Sequence, residues 1–163
     1  MSKQILPSLV AVIIVVAGIW LLSTDSKPMP EVIFNLVDGR TLSSADLRGR
    51  SVLVNFWSVS CETCLRDIPV LNRLQETLAD RGFMVIGVAA PYDPPPAVID
   101  LVKRLEPAYP VALDVHGELS KAFGDIKVTP TNVLIDPQGN INSSQRGPLD
   151  EPRVRATLLT FQE

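Results

Sequence analysis

The chain has 163 residues, 46% hydrophobic and 20% charged, with a net charge of −3 from 15 basic and 18 acidic side chains. That length holds one domain and a short additional segment. The composition excludes a disordered or collagen-like chain, and the charge balance, with no basic cluster, excludes nucleic acid as a partner. Two cysteines and one histidine are too few for a four-ligand zinc site within the chain or for a disulfide-rich scaffold.

The first predicted element is a membrane address. Gln4–Thr24 is an uncharged run of 21 residues, which as a helix spans roughly 31 Å, about the hydrocarbon thickness of a bilayer. A cleaved signal peptide, the alternative, has a shorter apolar region and a small-x-small cleavage site, and Leu21-Leu22-Ser23-Thr24 supplies no such pair. Residues 1–24 are therefore read as an uncleaved anchor that contacts lipid through residues 4–24. Lys3 precedes the span and no basic excess follows it, so the amino terminus stays in the cytoplasm and the rest of the chain crosses. Residues 25–30, with Pro28 and Pro30, read as a short stiff linker, and residues 31–163 as a single α/β domain.

Within that domain, Val32–Val37 is a strand and Asp38-Gly39 a hairpin turn leading into Arg40–Leu42. Ser43 has the look of an N-cap for a short turn that ends at Gly49. Ser51–Trp57 is apolar through most of its length, which suits a central strand covered on both faces. A helix follows from about Cys61 to Arg81, with Leu65, Ile68, Leu71, Leu74 and Leu78 at spacings of three and four, Pro69 inside it and Gly82 at its end. Phe83–Ala89 is a second buried strand, and a helix joining parallel strands is the βαβ unit. Pro91–Pro96 is a loop or a helix entry, Ala97–Leu105 a helix, Val111–Leu113 a short strand and Gly117–Phe123 one or two helical turns. Thr131–Asp136 is a strand, Asp136–Asn140 a turn and Ile141–Arg146 its antiparallel partner. A helix over Asp150–Phe161 closes the chain, capped by Asp150.

The chemistry lies in Cys61-Glu62-Thr63-Cys64, at a strand-to-helix junction. A helix N-terminus carries unpaired N–H groups and about half a positive charge. Both stabilise a thiolate, which is the nucleophilic form of cysteine. Cys61 sits at the tip, and Cys64, one turn in, can reach it. Such a pair supplies an attacking thiol and a resolving thiol for disulfide exchange. Two other readings fit the pair alone: a structural disulfide, and a copper(I)-binding chaperone that uses the same two thiolates. Val128-Thr129-Pro130-Thr131 adds a proline just before a buried strand. A cis bond there would expose the backbone of Thr129 to an extended substrate.

Val54-Asn-Phe-Trp57, Cys61-x-x-Cys64, Pro69, Gly87-Val88, Val128-Thr-Pro-Thr131 and Leu134-Ile-Asp136, taken in order, resemble the thioredoxin fold. More narrowly, residues 31–162 resemble the membrane-anchored TlpA/ResA-like thiol-disulfide oxidoreductases of bacteria. The resemblance implies a central mixed sheet with helices on both faces, an N-terminal β-hairpin extension, and a helical insertion, here residues 93–122. It implies an active surface of Cys61, Cys64, Thr129 and Pro130; Trp57 is read from its position as packing beside that surface, with a minor role in substrate contact. It implies a protein-disulfide reductase in the cell inner membrane, single-pass, with its domain in the periplasm. Its partners would be disulfide-containing exported proteins, such as those of cytochrome c maturation or metal sites, and a membrane thiol carrier as electron donor. No cofactor motif is present, and no metal site is assigned.

The chain departs from many relatives at Ser60, where they carry Trp, and at Thr63, where they carry Pro. Glu62 and Thr63 therefore tune the thiols, and Glu62 opposes thiolate formation by like charge. Asn55 stands where thioredoxins often hold a buried Asp, and it cannot act as a base. Some ResA-like proteins keep a Glu near the end of the strand after the helix; here that region is Ala89-Ala-Pro-Tyr-Asp93, and Asp93 is read as an exposed turn residue, with substitution for that Glu as the alternative. Arg66 is read as part of a solvated helix face. The Pro-x-x-x-Thr-x-x-Cys pattern of peroxidases is absent.

Overall fold

A computed structural model describes residues 27–161. The expected anchor, residues 1–24, lies outside the described residues, and among those described no helix is long and apolar enough to cross a membrane. Eight strands form one mixed sheet: β1 Lys27–Pro28, β2 Ile33–Leu36, β3 Thr41–Ser43, β4 Ser51–Trp57, β5 Phe83–Ala89, β6 Val111–Leu113, β7 Thr131–Ile135 and β8 Asn140–Arg146. Four α-helices pack on it: α1 Glu62–Leu78, α2 Pro95–Leu105, α3 Glu118–Ala122 and α4 Glu151–Thr160. The spatial order is β1-β8-β7-β4-β5-β6-β2-β3. β4 runs parallel to β5 and β5 to β6, whereas β7 is antiparallel to β4 and β8 to β7.

The parallel pairing of β4 with β5 requires a crossover, and α1 supplies it. Every residue of β4 is buried, as a strand covered on both faces demands. Its period-two alternation sends Val52, Val54 and Phe56 into one apolar layer and Leu53 and Trp57 into the other. The first layer is closed by Phe34, Ile86, Leu119 and Phe123, with the Phe56 and Phe123 rings 5.6 Å apart and edge-on. The second is closed by Leu71 and Leu74 of α1, Val98 of α2, and Val154 and Leu158 of α4.

Local chemistry explains the element boundaries. Ser43 caps a 3₁₀ turn, Ser44–Leu47, with a reciprocal bond from its own N–H to Asp46. α1 gives way to a 3₁₀ turn at Ala79–Arg81, and Gly82 ends it with φ +75°, a left-handed conformation that glycine adopts without strain. α2 begins at Pro95, two residues before the predicted start, because a proline in the first helical turn loses no hydrogen bond. Asp150 caps α4 by accepting from the Arg153 N–H.

Two readings change. Lys27 and Pro28, assigned to the linker, pair with Ile141 and Asn140 on the sheet edge, and the Met29 N–H donates to the Gly139 carbonyl at 2.8 Å. Pro28 is tolerated because an edge strand needs ladder bonds on one side only. The buried positions of α1 are Cys64, Asp67, Leu71 and Leu74, so the core-facing stripe runs one residue ahead of the expected Leu65 and Ile68. A carboxylate therefore occupies a core position.

Candidate active site

The chain leaves β4 at Trp57 and enters α1 at Glu62, so the cysteines lie at the end of a strand buried along its whole length. Cys61 is the N-cap, and its Sγ accepts the backbone N–H of Cys64 at 3.1 Å. Its carbonyl accepts the Leu65 N–H at 3.1 Å. A sulfur so placed meets the positive end of the helix dipole as well as a donated hydrogen bond, and both favour negative charge. Cys61 and Cys64 are joined as a disulfide with Cα atoms 5.2 Å apart. Their environments differ: Cys61 is half-buried, whereas Cys64 is 1% exposed and packs in the apolar layer beneath α1.

Between them, Glu62 is exposed and faces Arg66, 3.5 Å away, which also donates to Thr63 Oγ1 at 3.2 Å. The guanidinium thus offsets part of the Glu62 charge. At this exposure such a pair contributes little stability.

The segment before Cys61 is held from behind. Asp93, expected on the surface, is 8% exposed. Its carboxylate accepts from Ser58 Oγ at 2.9 Å and from the Val59 N–H at 2.9 Å. The reason is topological: β5 ends beside β4, the Ala90 N–H donates to the Trp57 carbonyl at 2.8 Å, and the turn that follows folds Asp93 back over the β4 exit.

Beneath the cysteines, Asn55 donates to Asn132 Oδ1 at 2.8 Å, and Asn132 Nδ2 donates to the Gly147 carbonyl at 3.2 Å. The two asparagines are direct cross-strand partners, so the Asn55 amide donor is met by Asn132, whose own donor is met by the Gly147 carbonyl. Asp67, three residues past Cys64, accepts the Leu149 N–H at 3.0 Å. Burial pushes its carboxyl above the ordinary range, and this outweighs the opposing pull of that hydrogen bond and of Arg66. Tyr109 is buried in the same layer, and its hydroxyl is pushed far up, first by burial and then by the Asp67 charge. Gly87 leaves room for both rings: a Cβ there would stand 3.2 Å from Tyr109 Cε2 and 3.3 Å from Trp57 Nε1. Trp57 itself is 5% exposed. It packs in the core and presents little surface to a substrate, because its side chain lies on the α1 face of β4.

Thr131 pairs with Phe56 across β7 and β4, so the segment entering β7 lies at the same sheet end as the cysteine loop. The Thr129–Pro130 peptide is cis, as the motif led us to expect. Pro130 is buried, Thr129 is half-buried, and the Pro130 carbonyl accepts the Gly147 N–H at 2.8 Å. Tyr92 Oη lies 3.3 Å from Thr129 Oγ1. Beside them opens a cleft of about 320 Å³ bordered by Phe56, Tyr92, Lys121, Val128 and Thr129. A larger cleft of about 910 Å³, between the β2–β3 hairpin and the β6–α3 connection, contains no cysteine. The smaller cleft has no cysteine in its lining either, but it adjoins the loop entering β7, at the same sheet end as the cysteine loop.

Sequence reasoning reached Cys61, Cys64, Thr129 and Pro130 through their motifs. It missed Asp67, Asn132 and the contact of Tyr92 with Thr129. The signal for Asp67 was its i+3 spacing from Cys64 on one helix face. The signal for Asn132 was period two within β7, which puts it on the face of Leu134. Nothing in the local sequence joins Tyr92 to Thr129, 37 residues away.

The Redoxin family model matches residues 24–158. The thiol-disulfide oxidoreductase ResA of Bacillus thuringiensis subsp. konkukian is 31% identical over 121 residues, 74% of this chain and 69% of the relative. ResA of Bacillus subtilis is 24% identical over 131 residues, 80% of this chain and 72% of the relative. A putative thioredoxin from Neisseria meningitidis superposes with a TM-score of 0.77 at 33% identity, covering 85% of this chain and 91% of that one. A thiol:disulfide interchange protein from Chlorobium tepidum gives 0.77 at 31% identity, covering 86% and 99%. With a Cys-x-x-Cys pair at the tip of a thioredoxin-type α1, this chain belongs to the Redoxin family and is a thiol-disulfide oxidoreductase of the ResA type.

Proposed function

We propose that the protein reduces disulfides of exported proteins, with Cys61 as nucleophile and Cys64 as resolving thiol. The observation that carries this reading is the contrast within the pair. The half-buried Cys61 sulfur at the α1 N-cap accepts the Cys64 N–H, and the Cys64 sulfur lies under it, closed off from a bulky client.

The cycle starts from the dithiol. The Cys61 thiolate attacks one sulfur of a client disulfide; the other client sulfur leaves as a thiolate and takes a proton from solvent. The mixed disulfide is then attacked at Cys61 Sγ by Cys64. Asp67, a buried carboxylate on the same helix face whose proton affinity is raised, is the group we assign to take the Cys64 proton. The second client thiolate leaves, and the Cys61–Cys64 disulfide results. Two electrons have passed to the client, and an extracytoplasmic thiol carrier in the membrane must return them. Thr129 and Pro130 form the wall against which the client chain lies, and Glu62 and Thr63 tune the Cys61 thiolate. The uncharged run of residues 4–24 supports residues 1–24 as an inner-membrane anchor, with the domain in the periplasm. The full chain is then expected to sediment with membranes, and a chain starting at Ser26 is not.

The test is turnover of a peptide disulfide by the chain from Ser26 onward. Cys61→Ser should abolish it, and Cys64→Ser should accumulate the mixed disulfide. Turnover retained in Cys61→Ser rejects the assignment of the nucleophile. A reduction potential near or below about −250 mV agrees with a reductase, whereas one above roughly −180 mV reverses the direction of electron flow.

A further inference from the structure

Two adjacent residues of the β5–α2 connection reach opposite walls of the site. Asp93 is buried, and its two carboxylate oxygens accept from Ser58 Oγ and the Val59 N–H, each at 2.9 Å. Ser58 passes the constraint forward: its Oγ lies 3.0 Å from Ser60 Oγ and accepts the Ser60 N–H at 3.3 Å, and its carbonyl accepts the Cys61 N–H at 3.1 Å. Every residue from Ser58 to Cys61 is therefore bonded to Asp93 directly or through Ser58. The partners of this carboxylate are a hydroxyl and a backbone N–H, not a cation. Burying it in that way is costly unless the bonds are well made. Tyr92, in contrast, is 62% exposed, and its hydroxyl reaches Thr129 Oγ1 on the other wall. The connection itself is pinned by the Ala90 N–H to the Trp57 carbonyl at 2.8 Å and by the Asp93 N–H to the Ala90 carbonyl at 3.0 Å.

We propose that Ala90–Asp93 is a bracket that sets the geometry of the exchange site: Asp93 is a positioning residue for the loop that presents Cys61, and Tyr92 is a positioning residue for the Thr129 wall that meets the client. This inference rests on the reading of Cys61 as nucleophile. A firmly held loop keeps the Cys61 sulfur against the α1 N–H groups, which favours the reduced thiolate form over the disulfide. Loosening the loop removes that advantage. Loosening the Thr129 wall changes how a client seats without changing the thiols.

The experiment is the equilibrium of the Cys61–Cys64 pair with glutathione, together with steady-state reduction of a peptide disulfide. Asp93→Ala should shift the equilibrium at least tenfold toward the disulfide, about 30 mV for this two-electron couple. Asp93→Asn, which keeps an acceptor, should stay within threefold of wild type. Ser58→Ala should shift it in the same sense, and the double variant Asp93→Ala/Ser58→Ala should go no further than the larger single change. Tyr92→Phe should leave the equilibrium within twofold and raise KM for the peptide at least threefold at constant kcat. An unmoved equilibrium in Asp93→Ala, additive effects with Ser58→Ala, or Asp93→Asn behaving as Asp93→Ala overturns the role of Asp93. An unchanged KM overturns that of Tyr92. If Asp93→Ala does not fold, Ser58→Ala and Asp93→Asn carry the test, the first shifting and the second not. Failure of the wild-type chain to reduce any peptide disulfide rejects the functional reading instead, and the glutathione equilibrium still reports on Asp93.

Discussion

The two layers of the sheet are built from the same strands but hold their polar atoms differently. In the layer closed by α3, the strands contribute Val52, Val54, Phe56, Ile86, Val88 and Val133. Buried polar groups there serve nearby backbone, as Asp114 does in accepting from the Leu119 and Ser120 N–H groups at 2.9 and 2.8 Å. In the layer beneath α1, buried polar side chains are bonded across elements: Asn55 to Asn132, and Asp67 to the Leu149 N–H, its charge also felt by the buried Tyr109. The first arrangement maximises apolar burial. The second accepts a desolvation cost, and it does so under the cysteines. Beneath α1, then, buried polar side chains share a layer with Cys64.

The largest effect is expected on the apolar side. Phe56→Ala should cost about 3–5 kcal/mol, the range for truncating a fully buried aromatic, read as a fall in the urea midpoint at unchanged slope. A loss below about 1 kcal/mol would show that this layer is not the main source of stability. The asparagine pair should give a smaller effect of a different kind. Asn55→Ala leaves the Asn132 carbonyl oxygen without its donor, at a cost of about 1–3 kcal/mol. Because one hydrogen bond joins the two side chains, Asn55→Ala/Asn132→Ala should cost less than the sum of the single changes. Strict additivity would separate them.

The smallest effect, and the sharpest, concerns Asp67. Its folded-state pKa is raised by burial, so the ionised carboxylate destabilises the fold. Stability falls as pH rises from the ordinary aspartate value, about 3.9, to the raised folded value, because the native state then holds the proton longer than the unfolded chain. Asp67→Asn removes that penalty while keeping an acceptor for the Leu149 N–H. Its unfolding midpoint should exceed wild type at pH 7, and the gap should close as pH falls below about 4. A gap that widens in acid would mean that Asp67 is a stabilising, depressed carboxylate. The same variant should slow resolution of the mixed disulfide if Asp67 takes the Cys64 proton.

Much of the fold was legible in the linear pattern. The apolar run of β4, the caps at Ser43 and Asp150, Gly82 after α1 and the proline before β7 are local signals, each set by the conformational preferences of a few neighbouring residues. β8 was legible only as a partner: Asn140–Arg146 is polar and exposed on alternate residues, and its strand form comes from pairing with β7. The edge pairing of Lys27 and Pro28 had no local signal at all, since hydrogen bonds to Ile141 and Asn140 created it.

The site divides along the same line. The reacting atoms follow from the linear chain: two cysteines one helical turn apart at a strand-to-helix junction, which is a matter of spacing and of the unpaired N–H groups at a helix start. Tertiary structure alone decided what surrounds them. Asp93 is buried because β5 ends beside β4, Asp67 because the core-facing stripe of α1 runs through Cys64 and Leu71, and Tyr92 reaches Thr129 because β4 joins the strands that carry both loops. Contacts of that kind depend on the packing of elements far apart in the chain, and no local preference encodes them.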